Sequence, residues 1–173
     1  GPIHATGATL DLARLLLMDA AKIQEEDAAF ANRKGFSKHH PALPLYTSED
    51  AERAISLIEP LSYGEWIESA PGVRAAFRNA GHILGSASVE VEIAEGEGKP
   101  PLHICFSGDL GPGGRDLADD PQGPVNLDHL VVESTYGGTE RAAIGSDARR
   151  KILADELKAA HAAGGPLLIP AFA

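Results

Sequence analysis

The spacing of apolar and polar positions changes period along the chain. After a strand end in "GPIHA" and a turn at Thr6-Gly7, Leu12, Leu16 and Ile23 recur at helical spacing with Leu15 beside them. Gln24 to Asp27 supply a polar side, so the pattern predicts a long amphipathic helix running to about Gly35. A basic, proline-bearing loop, "NRKGFSKHHPALPLY", follows. Thr47, with Asp50 three residues on, has the form of a capping box and predicts a helix to about Ile58.

The period then falls to two. "GVRAAFRNA" sets Val73, Ala75 and Phe77 against Arg74, Ala76 and Arg78. "SVEVEIAE" sets Val89, Val91 and Ile93 against Glu90 and Glu92, which predicts a strand packed on its valine face and wet on its glutamate face. "GEGKPP" is a hairpin tip, "LHICFSG" the returning strand, and "LDHLVVEST" a further apolar run of strand length. Ser146 to about Ala163 returns to helical spacing through Ala148, Ile152, Leu153, Leu157 and Ala160, stopped by Gly164-Gly165 and Pro166. "LLIPAF" then opens a buried strand. The sum is an α/β layer protein with a mixed sheet.

Composition narrows the function classes. The length of 173 residues fits about one domain, and no run approaches the roughly 18 apolar residues of a membrane span. Lys plus Arg number 15 against 25 Asp plus Glu, a net charge of −10. General phosphate attraction is therefore a poor basis for nucleic-acid binding, although a bound dication could recruit phosphate locally. One cysteine, Cys105, excludes an internal disulfide and a cysteine-cluster metal site, and its apolar surroundings predict a small buried hydrophobe. No signal peptide or initiator methionine is visible at Gly1-Pro2-Ile3, and the sequence stops within an apolar run, so a piece of a longer protein is expected.

His82 stands in a glycine-flanked turn, and Asp109 stands just after the run Leu102 to Phe106. If the two strands joined by "GEGKPP" are antiparallel partners, the start of the first faces the end of the second. The imidazole and the carboxylate then share one sheet edge, and Glu133, closing "LVVE", joins them if its strand runs alongside. Imidazole with carboxylate suits zinc, and a carboxylate can bridge two ions. Plainer readings stand beside these: a hydrogen-bonding loop histidine, a turn aspartate, and a strand-end glutamate that satisfies backbone amides. His39-His40 read as solvated, and His4, His103, His129 and His161 have no partner at ligand spacing. "GSAS" and "SGD" are not a serine nucleophile elbow.

The segments "GPIHATGATLDLARLLLMDAAKIQEEDA", "PLYTSEDAERA", "AGHILGSASVEV", "FSGDLG", "VVESTYGG" and "IPAFA", in this order, resemble the metallo-β-lactamase-fold nucleases that carry a β-CASP domain. The resemblance implies a partial αββα sandwich over residues 1–132, lacking its N-terminal ligand motif, and the beginning of a β-CASP domain over 133–173. It implies that His82 is a metal ligand, that Asp109 is a ligand bridging two zinc ions, and that Glu133 orients a histidine acid lying beyond this chain. Asp109 and Glu133 are thus the candidate catalytic residues, and His82 and Asp109 the candidate metal ligands.

The family's main cluster, His-x-His-x-Asp-His, would precede the first residue, and two further histidines would follow the last. The resemblance therefore implies zinc-dependent hydrolysis of RNA phosphodiester bonds by the intact protein, with two zinc ions per site, in the cytoplasm and without a membrane. The segment alone is expected to be inactive. Self-association is compatible with this reading. A non-catalytic scaffold relative and a metallo-β-lactamase-fold hydrolase of another substrate are the alternatives, and DNA stays open because nothing in the sequence reads a 2′-hydroxyl.

Overall fold

The computed structural model describes residues 1–114, 119–139 and 145–170. Residues 1–133 and 134–173 form two compact units. The first opens with strand β1 (Ile3–Ala5) and helix α1 (Gly7–Lys34), which begins where Thr6 Oγ1 accepts the Thr9 amide at 3.2 Å. Helix α2 (Ser48–Ser56) starts in the expected capping box: Thr47 Oγ1 accepts from the Asp50 amide, and the Thr47 amide donates to the Asp50 carboxylate. Glu25 of α1 accepts from both the amide and the hydroxyl of Ser48, which ties the two helices at that cap.

The second helix ends two residues before the expected Ile58. That residue opens β2 (Ile58–Pro60), a short strand the apolar pattern did not reveal, and β2 pairs parallel with β1. The packing side of α1 also differs from expectation. Leu15, Leu16 and Ile23 are exposed, whereas Leu10, Ala21 and Ala31 are buried. The helix rests on α2 and β2, and small residues, Ala21 on α1 and Ala51 on α2, are the ones buried there.

The main sheet is five-stranded, ordered β3 (Trp66–Ala70), β4 (Val73–Asn79), β5 (Ala87–Ile93), β6 (Leu102–Phe106) and β7 (His129–Val131). The first four strands form an antiparallel meander, and β7 adds parallel to β6. The fold is thus mixed α/β with a mixed sheet.

The alternation along β4 and β5 is present, but its faces are reversed. The face expected to be wet carries the buried positions Ala76, Ser88, Glu90 and Cys105, while Val89, Val91 and Ile93 are only half-buried. Register explains this. Glu90 lies directly between two small partners, Ala76 on β4 and Cys105 on β6, so its carboxylate has room to reach diagonally to Arg78 and His103. It pairs with Arg78, and His103 Nε2 stands 2.5 Å from Glu90 Oε1. Arg74 pairs with Glu92 directly across the strands, and both guanidinium groups lie over the Trp66 ring, 5.0 and 6.0 Å from its centroid. A buried carboxylate is tolerated because each charge is matched in place. Cys105 is buried as expected, and burial first, then the Glu90 charge, pushes its thiol up.

The second unit contains α3 (Ser146–Ala163), ended by Gly164 in the left-handed conformation, as expected. The strand expected at "LLIPAF" does not form over residues 166–170. Leu168 and Ile169 are exposed, and among the described residues of that unit no strand stands to pair with them. Ala171, Phe172 and Ala173 lie outside the described residues. No described helix is long and apolar enough to cross a membrane.

Candidate metal centre

The site grows out of two loops at one edge of the main sheet. The β4–β5 connection, residues 80–86, carries His82, and the segment after β6, residues 107–111, carries Asp109. Antiparallel pairing of β5 with β6, with Val89 opposite Phe106, sets the two loops side by side. His82 Nε2 lies 4.0 Å from Asp109 Oδ2. Both side chains face a cleft of about 360 Å³ whose other wall is apolar, made by Leu12 and Leu16 of α1 with Ile83 and Leu84.

Each loop is fixed by side-chain to backbone hydrogen bonds. Ser86 Oγ accepts from the His82 and Ile83 amides at 3.0 and 3.2 Å, closing a tight turn at His82. Tyr63 Oη donates to the Ser86 carbonyl at 2.9 Å. On the other side, the Gly85 carbonyl accepts from the hydroxyls of Thr6 and Thr9 at 2.8 and 3.0 Å, which ties the first turn of α1 to this loop. Gly85 has φ +83°, and a Cβ there would stand 2.7 Å from the Thr9 amide nitrogen, so the position requires glycine on both counts.

The two loops touch through Gly111, whose amide donates to the Ala80 carbonyl at 2.8 Å. A Cβ on Gly111 would fall 1.6 Å from the Gly81 carbonyl oxygen, so bare backbone is the condition for this approach.

Glu133 follows β7, which runs parallel to β6 in the register Phe106 opposite Val131. Its Oε1 accepts the Leu110 amide at 2.9 Å, and its own amide donates to Ser107 Oγ at 3.0 Å. The glutamate therefore meets the backbone next to Asp109. Ser107 is buried, and its carbonyl accepts from the equally buried Ser88 hydroxyl at 2.8 Å.

Imidazole nitrogen and carboxylate oxygen are donor types that zinc takes, but two donors fall short of the three protein ligands of a catalytic ion. Among the described residues no group of three His, Cys, Asp or Glu side chains converges to hold a metal. The donors thus match zinc in kind and not in number, and these residues alone do not form a complete site. His39 and His40 sit exposed in the loop after α1. His4 lies 4.0 Å from Glu59, and His103 belongs to the Glu90 cluster, a partnership sequence spacing did not suggest. Ser86, Ser107 and Gly111 were not singled out from sequence. The signal was there in part, because each is a small residue within three or four positions of His82 or Asp109.

No protein-family model matches the chain. Over 173 residues it is 34% identical to Ribonuclease TTHA0252 of Thermus thermophilus, with the whole chain aligned to 34% of that protein. It is also 34% identical over 179 residues to Transcription termination factor FttA of Pyrococcus abyssi, covering 24% of it. Against an RNase J-like protein of Methanocaldococcus jannaschii it is 34% identical over 129 residues, 74% of this chain and 29% of the relative. The chain spans about a third or less of the length of the curated relatives it matches. With a ribonuclease, a termination factor and an RNase J-like protein as its homologues, the chain matches a segment of the β-CASP, metallo-β-lactamase-type nucleases.

Proposed function

We propose that this chain is the part of a zinc-dependent ribonuclease that contributes His82 and Asp109 to the metal site, within a partial αββα sandwich. The observation that supports the reading is the approach of the imidazole and the carboxylate to 4.0 Å on two abutting loops. The relatives named as ribonucleases support RNA as the substrate. A cytoplasmic location goes with that substrate class. The half-buried face of Val89, Val91 and Ile93 is the side on which a second sheet would complete the sandwich. The remaining metal donors would come from parts of the intact protein outside these residues, and the segment alone would not cleave RNA.

The test uses the intact protein. Metal analysis is expected to find about two zinc ions per chain, the number of a two-metal phosphodiesterase site. Asp109→Ala is expected to lose zinc and to lose RNA cleavage together. Unchanged metal content and cleavage in that variant remove Asp109 from the mechanism. A folded wild-type protein that binds no zinc and cleaves no RNA supports the scaffold reading instead, and cleavage of DNA alone reassigns the substrate.

A further inference from the structure

Asp109 is the more exposed member of the pair, with its side chain 76% accessible. With so much of it open to solvent, its carboxylate is placed chiefly by the backbone that carries it. That backbone is held before Asp109 by Ser107 and after it by Glu133. Before it, the Ser107 hydroxyl donates to the Gly108 carbonyl at 2.7 Å and accepts the Glu133 amide. After it, the Leu110 amide donates to the Glu133 carboxylate. One bond joins Glu133 to Ser107 and another joins it to Leu110, closing a ring that runs from residue 107 through 110 to 133 and back. The Ser107 amide adds a bond to the Val131 carbonyl at 2.9 Å, anchoring the ring to β7.

We propose that Ser107 and Glu133 are positioning residues that form a clasp around the Asp109 turn and hold its carboxylate toward His82. The proposal rests on the reading of His82 and Asp109 as metal ligands. It gives Glu133 work that a neutral acceptor can do: it must accept one amide hydrogen bond. Orienting a distant histidine, the role the family resemblance implies, would depend on its negative charge. The two roles separate on substitution by glutamine, which keeps the acceptor oxygen and removes the charge.

The experiment measures amide hydrogen exchange and RNA cleavage in the intact protein for Glu133→Gln, Glu133→Ala and Ser107→Ala. Losing a hydrogen bond to a charged acceptor is expected to speed Leu110 exchange about tenfold or more in Glu133→Ala, and glutamine is expected to hold it within about threefold. Ser107→Ala is expected to speed exchange at the Glu133 amide by about tenfold. The kcat should follow the same order with KM unchanged, falling about tenfold in Glu133→Ala and staying within about threefold in Glu133→Gln.

Equal Leu110 exchange in wild type and Glu133→Ala overturns the clasp. So does a kcat in Glu133→Gln as low as in Glu133→Ala, because the charge would then be the controlling property. If the wild type cleaves no RNA, the nuclease reading falls by itself, and Leu110 exchange still decides the clasp.

Discussion

Replacing Gly111 by alanine tests the contact that joins the two loops. The added Cβ would lie 1.6 Å from the Gly81 oxygen, 2.2 Å from the Gly81 carbonyl carbon and 2.8 Å from the His82 nitrogen. All three are backbone atoms, so no side chain can rotate out of the way. A carbon and a carbonyl oxygen settle at about 3.3 Å or more, which forces the loops apart by roughly 1.7 Å. The retreat breaks the bond from the Gly111 amide to the Ala80 carbonyl, worth about 1 kcal/mol net. Strain of the overpacking kind adds about 1–3 kcal/mol, for a total of roughly 2–4 kcal/mol.

The matched control is Gly123→Ala, where a Cβ meets no heavy atom within 4 Å and φ is not positive. That change should stay within about 0.5 kcal/mol of wild type. Urea unfolding followed by fluorescence of Trp66, the chain's single tryptophan, reads the main sheet directly. The Gly111→Ala midpoint should fall by about 1–2 M for an ordinary slope. In the intact protein a displacement above 1 Å between His82 and Asp109 should cost about 100-fold in cleavage. A Gly111→Ala protein within about 0.5 kcal/mol of Gly123→Ala would refute the claim that these loops are in backbone contact.

Ser86→Ala removes the acceptor shared by the His82 and Ile83 amides, and exchange at the His82 amide should rise about 5- to 30-fold; unchanged protection would mean that Ser86 does not hold the turn. Glu90→Ala leaves Arg78 and His103 without their buried partner and should cost roughly 2–4 kcal/mol in urea unfolding, below the largest buried-pair values because Arg78 keeps some solvent. Glu90→Gln should cost less, and equal losses would show that shape and not charge governs the site. The amide and hydroxyl of Thr47, together with Arg53, hold the Asp50 carboxyl below its ordinary value. A depressed folded value means that its support for α2 is complete above the unfolded value and is lost as pH falls through the folded one. A carbon-detected titration should therefore place Asp50 below ordinary aspartates, and Asp50→Asn should abolish that acid-side loss of helix.

The convergence of His82 with Asp109 was legible because it follows from one hairpin. Once "GEGKPP" turns the chain, antiparallel pairing fixes which ends meet. The capping box at Thr47 and the stop at Gly164 were legible for a similar reason, since each is a local rule satisfied within a few residues. Glu90 was misread because alternation gives two faces and does not say which is covered. Its burial depends on Ala76 and Cys105 being small on neighbouring strands, and on Arg78 and His103 standing diagonally, facts of register that one strand does not contain. The exposed Leu15, Leu16 and Ile23 of α1 show the same limit for helices. Over residues 166–170 the expected strand has no pairing edge among the described residues of its own unit, and composition cannot supply one.

The bonds from Thr6 and Thr9 to the Gly85 carbonyl give the first turn of α1 a second duty. The hydroxyls that start the helix also hold the far side of the histidine turn, so the start of α1 and the backbone of that turn are tied together. The backbone freedom of the histidine turn is given up when the chain folds, and at the proposed metal site that loss would not recur on binding.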